Sequence, residues 1–152
     1  VIVVDANLLL YAYNTSAPHH GEARRWWETC LSEPIPVGLP WATLLAFIRI
    51  GTHQRVFRHP LTLEEATHDV AAWLERPMVI TLEPGARHWE ILSNLLVRTQ
   101  APGNLVPDAH LAALAIEHGA TLCSADRDFA RFPGLRWENP LDEAAGSTPP
   151  VR

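Results

Sequence analysis

Short apolar runs recur along this chain, each followed by a longer stretch whose apolar residues fall three or four apart. "VIVVD" is the first of the short runs, and "IPVGLP", "MVITL", "ATLCSA" and "LRWEN" follow it. A brief, unbroken apolar run such as "VIVV" predicts a strand covered on both faces, as in a parallel sheet. Between these runs lie helical patterns. "ANLLLYAY" predicts a turn or two, "HHGEARRWWETCLS" places Trp26, Trp27 and Leu31 within reach of one face, and "WATLLAFIRIG" reads as a buried helix closing at Gly51. In "LTLEEATHDVAAWLE", Thr62 and Glu65 have capping-box spacing, and Leu63, Ala66, Val70 and Leu74 follow at helical intervals. "PGARHWEILSNLLVRT" opens with Pro84 near a first helical turn. "APGNLV" reads as loop, "PDAHLAALAIEHG" as a helix with Asp108 at its N-cap and Gly119 past its end, and "DRDFARF" as a short helix.

Strands alternating with helices predict an α/β, three-layer domain with a central, mainly parallel sheet flanked by helices. The domain is expected over residues 1–142, and the polar, Pro-rich segment 143–152 is expected to be a disordered tail. In such sheets, functional sites gather beyond the carboxyl ends of the strands. Attention therefore falls on whatever polar residue ends each run.

Composition narrows the picture. A chain of 152 residues, 47% hydrophobic, suits one domain with a sizeable core. No apolar run approaches the roughly 20 residues of a spanning helix, and no basic leader opens the chain, so a cytoplasmic protein is expected. Cys30 and Cys123 lack metal-ligand spacing, and Cys123 reads as a small core residue. The net charge of −5 argues against a general polyanion binder. All 12 basic residues are arginine, so no chemistry that needs a lysine can run here.

The strand ends carry acids. Asp5 follows "VIVV", Asp126 follows "ATLCSA", Asp128 comes two residues later, and Asp108 opens a predicted helix. Asn7 can add an amide at the same edge. Singly, Asp108 and Asp126 are ordinary capping residues, and Asp128 is a normal first-turn acid. Asp5 is harder to explain that way, because it directly follows a buried strand. Crowded carboxylates repel and hold their protons more tightly unless a cation joins them. Arg127 can be that cation in a salt-bridged cluster; the sharper alternative is a divalent metal. Few, hard oxygen ligands suit Mg²⁺ or Mn²⁺. The eight histidines show no zinc pattern.

Several carboxylate chemistries are excluded. Phosphoaspartate mechanisms and P-loop chemistry both need a lysine, and the glycine-rich phosphate loop is also missing. Hydrolysis of a phosphodiester by metal-activated water remains, with products ending in a 5′-phosphate and a 3′-hydroxyl.

The segments "VVDANLLLYAY", "LPWATLLAFIRIGTHQRVF" and "GNLVPDAHLAALAIEHGATLCSADRDFARFPGLRWENPL" resemble PIN domains. More narrowly, they are similar to the VapC toxins of bacterial type II toxin–antitoxin systems, in the branch abundant in mycobacteria. The resemblance covers roughly residues 2 to 142, and its C-terminal block is the specific part. It implies a Mg²⁺- or Mn²⁺-dependent endoribonuclease, a homodimer inhibited by a VapB-type antitoxin, with RNA as substrate and no membrane partner. It also implies that Asp5, Asp108 and Asp126 bind the metal and carry catalysis, with Asn7, Ser124 and Asp128 supporting them. One departure stands out. PIN domains commonly carry a glutamate near the position of Ala46, and here no acid lies between Glu33 and Glu64. That departure keeps a non-catalytic RNA- or partner-binding module in view, and a DNA or junction nuclease of the same fold is the other alternative.

An acidic pocket must still attract RNA. Arg24 and Arg25, and Arg49, Arg55 and Arg58 around "RIGTHQRVFRH", are the candidate RNA-binding residues, since guanidinium pairs with phosphate and stacks on bases. Tryptophans that stay exposed can stack single-stranded bases, although most of the six are expected in the core. "RWWETCL" and "WATLLAFIRI" can form a groove for an antitoxin helix, and core packing explains both equally well.

Overall fold

Strand β1, Ile2–Val4, is the centre of the sheet in the computed structural model, which describes residues 1–142. The tail predicted for 143–152 lies outside the described residues. Helices α1 (Ala6–Tyr13) and α2 (His20–Ser32) lead to β2 (Val37–Gly38), which pairs with β1. Helices α3 (Trp41–Gly51) and α4 (Leu63–Leu74) lead to β3 (Val79–Ile80) on the outer side of β2. Helices α5 (His88–Thr99) and α6 (Val106–Glu117) then carry the chain across to β4 (Thr121–Cys123), which pairs with the other side of β1. β5 (Arg136–Glu138) completes the sheet. The order is β3-β2-β1-β4-β5 and every pairing is parallel. The strand order reverses between β1 and β4, which makes their carboxyl ends the natural place for a site.

Alternation along β1 divides the core. Val4 packs on one face with Leu8, Leu9, Trp27, Leu44, Phe47 and Trp73, while Val3 packs on the other with Leu122, Leu114, Ala112 and Phe129. Successive side chains on a strand point to opposite faces, so two neighbouring valines anchor two separate layers. Trp73 fixes the larger layer. It lies edge-on to Tyr13, Trp27 and Phe47, and its Nε1 donates to the Tyr13 hydroxyl at 2.8 Å. Trp73→Ala is expected to cost about 3–5 kcal/mol. Gly38 is required in β2, since a Cβ there would meet the Leu82 side chain. Cys123 is buried, as expected, and its thiol is pushed up to about 12 by burial.

The capping box at Thr62 and Glu65 forms as predicted, with reciprocal bonds of 3.0 and 2.9 Å. Gly119 follows α6 in the left-handed region, φ +64°, where glycine has no Cβ to clash. Two boundaries differ from expectation. α5 begins at His88, later than Pro84 suggested, because the carboxylate of Glu117 captures the Gly85 and Arg87 amides just before the helix. The stretch read as loop contains a single 3-10 turn, Gly103–Leu105, that runs straight into α6. Among the described residues, no helix is long and apolar enough to cross a membrane.

Candidate metal centre

Asp5 leaves β1 and caps α1. Its Oδ1 accepts from its neighbour, the Ala6 amide, at 2.8 Å, and its Oδ2 accepts from the Ser124 hydroxyl at 2.7 Å. Ser124, fully buried at the end of β4, is the hinge of the site. Its hydroxyl donates to Asp5 and accepts from Asn7 Nδ2 at 3.1 Å and from the Asp126 amide at 3.0 Å, which uses all three of its hydrogen-bonding positions. Asn7 returns the contact, since its Oδ1 accepts from the Ala125 amide at 3.3 Å. The ends of β1 and β4 are thus laced together by one hydroxyl and one amide. These bonds leave both Asp5 oxygens a free lone pair, while holding the carboxylate in one orientation.

Asp126 caps a 3-10 turn, Arg127–Arg131, by accepting from the Asp128 amide at 2.9 Å. Asp108 corrects the sequence expectation. It does not cap α6; the helix starts two residues earlier, at Val106, and has no side-chain cap. Pro107 explains the shift, because a proline in the first turn lacks only an N–H that the helix would not use there. Asp108 is therefore free of backbone duty, in the first turn of α6. Carboxylate oxygens of Asp108, Asp126 and Asp128 all lie within 4.8 Å of one another. Asp5 stands beside this trio, near enough for its charge to act on Asp108 and for that of Asp126 to act on Asp5.

The electrostatics follow from that crowding. The Asp108 carboxyl is pushed up to about 6, first by burial, then by the charges of Asp5, Asp126 and Asp128, with Arg131 opposing. Burial also raises Asp5, opposed by its bonds from Ser124 and Ala6, and Asp126 adds repulsion. A hard divalent cation answers both problems, since it supplies positive charge and accepts the converging oxygens. The donor set therefore fits Mg²⁺ or Mn²⁺. No acid replaces the expected glutamate on α3, where Ala46 is half-buried; the carboxylate that joins Asp108 and Asp126 instead comes from Asp128.

The other candidates lie apart in the fold. Arg24 and Arg25 are on α2, Arg49 is in the last turn of α3, and Arg55 and Arg58 lie exposed in the connection to α4. Arg24 is engaged, bonded to Glu28 at 2.9 Å and stacked 4.6 Å over the Tyr13 ring. Of the tryptophans, Trp27 and Trp73 are core, Trp26 and Trp137 are half-buried, and Trp41 and Trp89 are exposed. Sequence reasoning passed over Arg131, the cation whose charge reaches Asp108. Its position, three residues after Asp128 in a predicted helix, is the signal that marks it.

Residues 2–135 match the PIN-domain family, and the parallel five-stranded sheet with acids at its switch point agrees with that fold. The chain belongs to the VapC branch of the PIN-domain family. It is 47% identical over 138 residues to ribonuclease VapC37 of Mycobacterium tuberculosis, covering 91% of this chain and 96% of that protein. Ribonuclease VapC33 of the same organism is 41% identical over 143 residues, 94% of this chain and 100% of its own length. Among solved structures, VapC20 of M. tuberculosis, a sarcin-ricin loop cleaving toxin, superposes with a TM-score of 0.65 at 23% identity, covering 90% of this chain and 99% of its own. VapBC2 from Rickettsia felis, bound to a promoter DNA fragment, has a TM-score of 0.65 at 19% identity, covering 91% and 97%. These two likenesses concern the fold.

Proposed function

We propose that this chain is a Mg²⁺- or Mn²⁺-dependent endoribonuclease of the VapC kind, acting through Asp5, Asp108, Asp126 and Asp128. The observation that carries the reading is the convergence of three carboxylates from α6 and from the turn after β4. Asp108, Asp126 and Asp128 offer the cation its oxygens. Asp5, fixed by Ser124 and Ala6, supplies the fourth negative charge. A divalent cation bound there would supply Lewis acidity, easing deprotonation of water and stabilising charge on the phosphoryl and leaving oxygens.

The protein's own part is positioning. Ser124 and Asn7 tie the ends of β1 and β4 together, which sets Asp5 against the backbone of Asp126. Asp126 is held by the Asp128 amide, and the 3-10 turn therefore sets both acids at once. Water as nucleophile leaves a 5′-phosphate and a 3′-hydroxyl on the products.

Relatives named as ribonucleases support RNA as substrate, and the structural likeness to a VapBC complex supports a VapB-type antitoxin as partner. Pairing with a second copy of the chain and residence in the cytoplasm belong to the same proposal. The empty position on α3 favours one rival, a module that binds RNA without cutting it. Cleavage of single-stranded RNA and DNA, titrated with Mn²⁺ and compared with Asp108→Asn, tests all of this. Metal-dependent RNA products with 5′-phosphate ends are expected. A 2′,3′-cyclic phosphate would reject the hydrolytic mechanism, binding without cleavage would favour the module, and preferred cutting of DNA would move the substrate class.

A further inference from the structure

Four acids at one edge of a protein of net charge −5 repel the phosphodiester they are meant to receive. Some local cation must offset that field. Arg24, Arg25, Arg49, Arg55 and Arg58 lie on α2, at the end of α3 and in the connection beyond it. Arg131 is placed differently. It ends the 3-10 turn that Asp126 caps, so the same backbone positions two acids of the cluster and this guanidinium. Its Nη2 lies 3.7 Å from Asp128 Oδ1, and its charge also acts on Asp108. The pair is long for a hydrogen bond, and its side chains are 39% and 48% exposed, which makes it weak and readily exchanged. Arg127, in the same turn, is 85% exposed and 4.0 Å from Asp142, and the cation whose charge acts on Asp108 is Arg131.

We propose that Arg131 is the phosphate-binding residue of this centre, resting against Asp128 until a divalent cation occupies the acids and then pairing with the RNA phosphate. The proposal rests on the reading of the site as a metal-dependent ribonuclease. A guanidinium suits the task, since its planar fork meets two phosphate oxygens at once. Two consequences of opposite sign follow. As a resident positive charge, Arg131 competes with the incoming cation for the same carboxylates. As a phosphate partner, it attracts the anion that the acids repel. Removing it tightens cation binding and loosens RNA binding, whereas a purely structural role would weaken both together.

Calorimetric Mn²⁺ titration without RNA provides the first readout. Arg131→Gln is expected to bind Mn²⁺ about 3- to 10-fold more tightly than wild type, with Arg131→Lys close to wild type. The second readout is anisotropy of a mixed-sequence single-stranded RNA oligonucleotide in Ca²⁺, which fills carboxylate sites while being a weak Lewis acid. There Arg131→Gln is expected to bind about 5- to 10-fold more weakly, with a salt slope shallower by about 1, and Arg131→Lys to recover the slope but only part of the affinity, since an ammonium keeps the charge without the fork. Unchanged or weakened Mn²⁺ binding in Arg131→Gln overturns the proposal, as does unchanged RNA binding or equal loss in the Gln and Lys variants. Wild type that binds no Mn²⁺ would overturn the metal-centre reading and this proposal with it, so the two failures remain distinguishable.

Discussion

Helix α6 carries a carboxylate near each end, and the two are treated in opposite ways. Asp108, in the first turn, sits where the helix dipole favours negative charge, yet its carboxyl is pushed up to about 6. Glu117, the last residue, sits where the dipole disfavours an anion, yet its carboxyl is held below its usual value. The dipole, worth about 0.3–1 kcal/mol, loses at both ends. At the Glu117 end, the amides of Gly85 and Arg87 donate at 2.8 and 3.0 Å, and His118 and His88, when protonated, add to them. At the Asp108 end there is burial and three more acids. One carboxylate is satisfied by the fold and staples the start of α5 to the end of α6. The other is left wanting a cation. That difference separates an acid tied into the fold from the one proposed to meet a cation, on a single helix.

The most forceful way to break the comparison is to neutralise the unsatisfied end. Asp108→Asn is expected to lower RNA cleavage by at least about 100-fold, since even groups that merely orient metal ligands cost 10- to 100-fold when removed. Circular dichroism should remain that of wild type. Retained cleavage would remove Asp108 from the centre. Next in size is Ser124→Ala, which deletes the donor to Asp5 and the acceptor for Asn7 and the Asp126 amide. Mn²⁺ affinity is expected to fall by about 10- to 100-fold in calorimetry. An unchanged affinity would mean that Asp5 orientation does not matter to the cation.

A third test reads stability without metal. The Asp108 carboxyl is raised from 3.8 to about 6, so the folded state prefers it protonated. Its favourable contribution is complete below pH 3.8 and is lost as pH rises through about 6. Discounted for partial exposure to about 1 kcal/mol, the effect gives Asp108→Asn a melting temperature roughly 2–4 °C above metal-free wild type at pH 7. The gain should vanish near pH 3.5, and saturating Mn²⁺ should reverse the order by stabilising wild type alone. A variant no more stable than wild type at pH 7 in chelator would show that the acids are not in conflict.

How much of this was legible beforehand depends on which interactions are local. The parallel sheet, the capping box at Thr62 and the glycine stop at Gly119 rest on short-range pattern, and all three were readable. That Asp5, Asp108 and Asp126 gather at one edge was also readable, because strand ends in this architecture share an edge. The start of α6 differs from the sequence expectation for a local reason, since Pro107 fits the first turn and places Asp108 inside the helix instead of at its cap. The Ser124 network and the arrival of Asp128 in the trio needed distances that no spacing rule supplies. Arg131 was missed because the sequence marks arginines by clustering, while the fold marks this one by the turn it shares with Asp126.

The satisfied end gives the smallest and most diagnostic effect. Glu117→Gln keeps an acceptor oxygen for one of the two amides and loses the charge that both prefer. Because the Glu117 carboxyl is lowered from 4.5, chiefly by the Gly85 amide, its contribution is present above that value and is lost as pH falls through the lower folded one. Wild type should therefore melt slightly above Glu117→Gln at pH 7, and the gap should narrow as pH falls below 4.5 and close once it passes the lower folded value. Amide exchange at Gly85 and Arg87 should quicken in the variant at neutral pH while cleavage of RNA stays unchanged. Asp108→Asn and Glu117→Gln thus shift metal-free stability in opposite directions at pH 7, and both shifts fade in acid. If the two substitutions moved stability the same way, the contrast between the ends of α6 would be an accident of packing, and the case for a cation at Asp108 would lose its electrostatic half.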